Sequence, residues 1–244
     1  MLKNNLNAIL FSFALIVSAY LFSNAFQNRN KNTDTISVTG LGKIDFVSDL
    51  IVWSGSFSRK SATLKEAYAL LDTDRAKIKT YLNGKGISDK DIVFSAVNFN
   101  KDFETTYNEN GTVRQTIFSG FTLSQNVNIQ SKQVNEIEEI SRQSSELINS
   151  GVEFYSNAPE YYYTKLAELK IKMIAEATKD ASSRAKSIAE NADASLGNLK
   201  KSDMGVFQII AQNSSEDFSY GGSFNTNSKN KTATITVKLV YQVN

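Results

Sequence analysis

Two carboxylates one residue apart, Asp89 and Asp91, and three glutamates close in sequence, Glu136, Glu138 and Glu139, are the groupings whose types could support acid–base or metal chemistry. A carboxylate pair works as acid and base only when its surroundings push the two pKa values apart, and a cation site needs oxygens that converge. Asp89 and Asp91 fall at a helix-to-strand turn beside Lys85 and Lys90, so they read as turn and surface groups. The glutamates read as a solvated helix face, because one helix face cannot supply convergence. Gly40-x-Gly42 has the look of a phosphate-cradling loop, but such a loop needs a helix N-terminus behind it and here a second strand follows. A tight turn or bulge is expected there instead. Tyr161-Tyr162-Tyr163 could stack on a ligand, yet its place where a long helix begins makes packing the expectation.

What is missing narrows the chemistry further. The chain has no histidine and no cysteine. This excludes cysteine nucleophiles, histidine-assisted triads, disulfides and zinc or copper sites built on those residues. Carboxylate chemistry, Ser-Lys chemistry and oxygen-ligated metals remain, and the redox compartment stays open. No residue is assigned as catalytic, cofactor-binding or metal-ligating, and no enzyme activity or cofactor is expected. With 27 basic and 25 acidic residues interspersed, no basic patch forms and nucleic acid is not an expected partner.

The elements that would position any site begin with the N-terminus. Residues 8–26 carry no charge, and as a helix would span about 28 Å, just under the roughly 30 Å of a bilayer core. Two readings stay open: a signal peptide cut after Ala19 or Ala25, or a retained membrane anchor. Residues 27–34 read as a polar linker, and 35–244 as the exported domain. Residues 35–41 and 49–60 read as strands, with Trp53 and Phe57 as core or interface aromatics. Residues 61–82 form a first helix, opened by the Thr63-x-x-Glu66 capping box and striped by Leu64, Ala67, Leu71, Ile78 and Leu82. A strand over 92–100, a hairpin tip at 102–114 and a long strand over 115–129 follow. A second helix is spaced by Val134, Ile137, Ile140, Ser144, Leu147 and Ile148. Helix-to-strand joins at Gly86-Ile87 and Gly151-Val152 hint at two related halves.

After a strand over 152–158, residues 163–195 read as one long helix. Ala167, Ile171, Ile174, Ala177, Ala181, Ala185, Ile188 and Ala192 draw a mostly alanine stripe, narrow enough for backbone to dock closely, and Gly197 is the expected stop. At about 50 Å this helix would cross a compact domain of roughly 43 Å, kink, or project toward another subunit. A strand over 199–211, a Ser/Asn/Gly-rich mobile loop over 212–230 and a half-exposed strand over 232–243 complete the chain. The fold class is α+β: antiparallel sheet with helices packed on one face, in the order β-β-α-β-β-α-β-α-β-β.

The strand from Ile36 to Gly42, the turn from Leu82 to Ile92, Phe118-Ser-Gly-Phe121 and the Ala-rich helix ending at Leu196-Gly197 together resemble the SIMPL-domain family. These are exported bacterial proteins also called periplasmic or outer-membrane immunogenic proteins, and the resemblance runs from about Thr35 to Val243. It implies an α+β fold, placement in the cell envelope, self-association and a link to stress tolerance, with a eukaryotic branch named for binding a kinase. It implies no catalytic residues. The expected function is a non-enzymatic, self-associating envelope protein, a homo-oligomer tied to the membrane through residues 8–26 if they are uncleaved. The alternatives are a binder of a lipid or small hydrophobic ligand, and a hydrolase with a Ser-Lys or carboxylate site.

Overall fold

Alternation of apolar and polar residues sets the strands, and three- and four-residue spacing sets the helices. The computed structural model describes residues 2–29 and 34–243. In chain order the elements are α1 (Leu2–Arg29), β1 (Thr35–Val47), β2 (Leu50–Ser61), α2 (Leu64–Gly84), β3 (Ile92–Phe94), β4 (Asn98–Tyr107), β5 (Val113–Ser131), α3 (Val134–Gln143), α4 (Glu146–Asn149), β6 (Phe154–Ser156), β7 (Glu160–Tyr162), α5 (Leu166–Asn191), β8 (Leu196–Met204), β9 (Gln208–Ala211), β10 (Ser223–Phe224) and β11 (Asn230–Val243). This is the expected α+β class, with mixed rather than purely antiparallel sheet, since β10 pairs parallel to β9. In α1, Ile9–Phe26 has mean hydropathy 1.9, long and apolar enough to cross a membrane. Its helix runs on to Arg29, into the stretch read as linker, and residues 30–33 of that linker lie outside the described residues.

The chain divides into two compact units. The larger comprises Gly42–Glu176 and Gly205–Ile235, and the smaller the described residues of Met1–Leu41, Ala177–Met204 and Thr236–Asn244.

In the larger unit, β2 and β5 pair antiparallel from Ile51↔Ser131 to Ser61↔Phe121. Alternate residues Ile51, Trp53 and Phe57, with Leu123, Val127 and Ile129, turn to one face. Ala67, Leu71, Ile78 and Leu82 of α2 and Val134, Ile137 and Ile140 of α3 complete the same core. Thr63 caps α2 as expected, accepting from the Glu66 N–H, whereas Leu64 is exposed. Asp74 occupies a core position in α2, and its carboxylate is forked by Arg59 at 2.5 and 3.0 Å. The joins at Gly86 and Gly151 share one geometry: glycine at positive φ, then an N–H returning five residues, Ile87 to Leu82 and Val152 to Leu147.

Several expected boundaries move. The expected hairpin tip is mostly strand, the turn occupying only residues 108–112, and the second helix breaks into α3 and α4, leaving Ile148 exposed. Gly120 (φ +132°) marks a bulge, after which the register steps from Asp102↔Gly120 to Phe103↔Phe118. Residues 212–230 are not structureless: Ser223–Phe224 form β10, and the Gln208 amide donates to the Ser219 carbonyl at 2.7 Å.

In the smaller unit, β8 pairs antiparallel with β11 from Val237↔Met204 to Val243↔Leu196. Gly40-x-Gly42 is neither turn nor strand end, because β1 runs through it to Val47. A Cβ on Gly40 would collide with the Ala177 carbonyl and lie 2.8 Å from the Ala181 Cβ, so the glycine is there for close approach to α5. The buried row on α5 is Leu169, Met173, Ala177, Ala181, Ala185 and Ala189, while Ile171 and Ile188 of the expected stripe are 70% and 49% exposed. Four-residue steps overshoot the 3.6-residue turn, so this row winds obliquely, as when a helix crosses its neighbours at an angle. The helix stops earlier than expected, at about 39 Å. Asp193 (φ +54°) takes the left-handed position, the Ala194 N–H returns to the Ala189 carbonyl, and Gly197 lies within β8.

Candidate functional site

Ser-Lys chemistry was one of the classes left open by composition, and in the larger unit one such pair meets. Lys231 opens β11 in phase with Ala233 and Ile235, so the alternation that buries those residues buries it too. Its side chain is 1% exposed; Nζ donates to Ser48 Oγ at 3.0 Å and to the Tyr161 carbonyl. Burial lowers its pKa from 10.5 to about 8.

A polar shell surrounds the pair. The Ser48 N–H donates to the Lys229 carbonyl at 2.9 Å. Lys229 Nζ reaches Glu138 at 2.6 Å and Asn135 at 3.1 Å. The Lys229 hydrogen bond holds the Glu138 carboxyl below its ordinary value, while burial first, then the Glu138 charge, pushes the Tyr161 phenol up. Asp49 accepts from the Thr164 N–H and hydroxyl, both at 2.7 Å.

For acyl transfer, Ser48 would have to give its proton to a neutral Lys231 and reach a substrate carbonyl. With a pKa near 8 the amine is mostly protonated at pH 7 and acts as donor. Ser48 is 4% exposed, so the oxygen has no approach. The arrangement is suited to tying together the β1–β2 turn, β7 and the start of β11.

The residues singled out from sequence are placed as follows. Asp89 binds Lys79 at 2.9 Å and Asn83 at 2.8 Å; the Lys79 hydrogen bond, then that of Asn83, lowers its pKa. Glu138 faces Lys229, Glu139 accepts from Gln143 at 3.0 Å, and Glu136 points to solvent. Among the described residues no group of three acidic side chains could hold a metal ion. Tyr161 is buried, the Tyr162 hydroxyl donates to Glu160 at 2.7 Å, and Tyr163 packs on Phe46 at 4.8 Å. Lys231 and Asp74 are not among the residues singled out from sequence. Their signal was a charge in phase with an apolar row, which marks a buried, partnered group.

Another feature of the larger unit is an exposed apolar face. Beyond the Gly120 bulge, β4 and the first part of β5 form a two-stranded ribbon. Phe103 and Phe118 pair edge-on at 5.8 Å, Phe118 meets Phe121 at 5.1 Å, and Phe99, Phe103, Tyr107, Val113 and Phe118 remain 44–63% exposed. Alternation and register put these on one face of the ribbon. Where that face meets α2, a mostly apolar groove of about 470 Å³ is lined by Leu64, Lys65, Tyr68, Val97, Phe99 and Leu123.

The profile of the SIMPL family, described as a protein of unknown function (DUF541), matches residues 36–241. The chain belongs to the SIMPL family. No curated protein matches it. The match takes in both compact units and every strand named above, and stops short of the apolar α1.

Proposed function

We propose that this SIMPL chain is a non-enzymatic protein of the cell envelope that associates with copies of itself through the aromatic face of the β4–β5 ribbon. The carrying observation is that face: large side chains stand exposed on a ribbon too thin to bury them, and contiguous exposed apolar surface marks a contact site. A second copy is its occupant because a two-fold contact needs only one self-complementary patch. The enclosed Ser48 supports a structural rather than hydrolytic use of the Ser-Lys pair. The apolar α1 supports export, as signal or anchor, and a part in stress tolerance is the physiological expectation from the family resemblance.

A second reading, capture of a lipid or small hydrophobic ligand, is favoured by the groove between α2 and β4. One experiment addresses both. Native mass spectrometry of the full chain, released from detergent micelles at micromolar concentration, is expected to show dimers or larger species. Phe103→Ser with Phe118→Ser is expected to shift that distribution toward smaller species, with thermal stability changed by no more than a few degrees, because neither ring is in the core; an unchanged distribution would overturn the ribbon contact. A parent that is strictly monomeric would sink the self-association reading. A small apolar adduct retained by that monomer would favour the second.

A further inference from the structure

A separate surface, on the smaller unit, presents backbone rather than side chains. Among the described residues β1 pairs with β11 and with no other strand, so its other edge is open. Two bonds fix which backbone groups lie on that edge. The Asp34 carbonyl accepts from the Val243 N–H at 2.8 Å, so even-numbered residues turn their peptide groups toward β11. The Leu41 N–H instead donates outward to Asp180 on α5 at 2.9 Å. By the strand's alternation, the N–H and C=O of Thr35, Ser37 and Thr39 point outward with that of Leu41. Beside them runs an open groove of about 570 Å³, lined by Ser37, Val38, Thr39, Ser183, Arg184, Ser187 and Ile188.

Residues 35–39 carry no charge and no proline, two of the devices by which edge strands avoid pairing. The β8 strand differs, with Lys200, Lys201, Asp203 and two register shifts. Moreover, Thr35-Ile36-Ser37-Val38-Thr39 reads nearly the same in both directions. We propose that the free edge of β1 pairs antiparallel with the same edge of a second copy, about a two-fold axis through Ser37. Thr35 then lies opposite Thr39 of the other copy, Ile36 opposite Val38, and Ser37 opposite Ser37. The outward-pointing residues form the pairs that exchange both backbone bonds, and the β-branched residues form the closer pairs between them. Pairing ends before Leu41, whose N–H Asp180 already holds. Arg184, paired with Asp180 at 3.0 Å, brings no free charge to the axis, and the half-exposed Ile188 lies where the second sheet would cover it.

This contact does not depend on the aromatic ribbon. It shares with the reading above only the claim that copies associate, and its test separates the two. The chain has no cysteine, so Ser37→Cys introduces one thiol per copy. Across a two-fold at this position the Cα atoms would lie about 5.5 Å apart, within disulfide range. In the full chain in detergent, mild oxidation is expected to convert most Ser37→Cys protein to a covalent dimer, also in the Phe103→Ser/Phe118→Ser background. Ser202→Cys on β8 is the collision control and is expected to give at least tenfold less. Ser37→Pro removes the outward N–H at an edge position that tolerates proline, and is expected to lower the non-covalent dimer fraction of the ribbon double variant at least tenfold, whereas Ser37→Ala leaves it unchanged. Failure of Ser37→Cys to cross-link, or equal cross-linking of Ser202→Cys, overturns the edge contact. If the parent still forms oligomers in that case, the ribbon reading stands without it.

Discussion

Lys231 is an amine enclosed with only a hydroxyl and a carbonyl as partners, and its titration follows from that. The unfolded chain keeps this proton up to its ordinary value of 10.5, whereas the folded chain releases it above about 8. Between those values the unfolded state binds more protons, so this group makes stability rise with pH, by at most about 1.4 kcal/mol per pH unit. Urea midpoints at pH 7.5 and 9.5 should show the parent gaining stability relative to Lys231→Met over that interval. A constant difference between the two would mean that the amine is not desolvated. Lys231 was legible only as one more polar residue beside a terminal strand. Sequence phase shows that a charge will be buried, but not that Ser48 and Tyr161 will be there to receive it.

At the scale of elements, α5 and β1 test whether the alanine row is a packing surface. Ala177, Ala181, Ala185 and Ala189 are buried within the chain, so the narrow seam expected from sequence finds its partner in β1 at Gly40. Gly40→Ala and Ala181→Leu should each cost about 1–3 kcal/mol or more by overpacking, while Ile171→Ala, on the exposed side, should stay within about 0.5 kcal/mol. Thermal or urea unfolding reads all three. Ala181→Gly is not expected to rescue Gly40→Ala, because the first collision is with a backbone carbonyl at Ala177. Equal behaviour of Ala181→Leu and Ile171→Ala would remove the row from the packing account. Helix starts and ends were read well where a local motif specifies them, as at Thr63, Gly86 and Gly151. At Asp193 the left-handed position fell to a residue that merely tolerates it, and the boundary was misplaced.

At the scale of the whole molecule the open matter is the fate of α1. A cleaved signal predicts a mature protein in the soluble envelope fraction lacking residues up to Ala19 or Ala25; an anchor predicts the full mass in membranes. Intact-mass measurement on both fractions separates these readings. Recovery of the full-length mass from the soluble fraction without detergent would contradict both. A retained anchor would also hold copies in one plane, raising their effective concentration for weak edge or ribbon contacts.

Periodicity and punctuation, which are local, were enough to establish the α+β class, the core faces of β2 and α2, the paired glycine joins and the apolar N-terminal helix. Composition alone removed histidine and cysteine chemistry. Tertiary structure decided what depends on residues far apart meeting: Asp74 with Arg59, Lys231 with Ser48, the alanine row with Gly40, and which strand edge stays open. Strand pairing joins distant segments, and the alternation within one strand does not name its neighbour. The unpaired edge of β1 and the unsupported ribbon therefore became visible only once every strand had found, or failed to find, a partner.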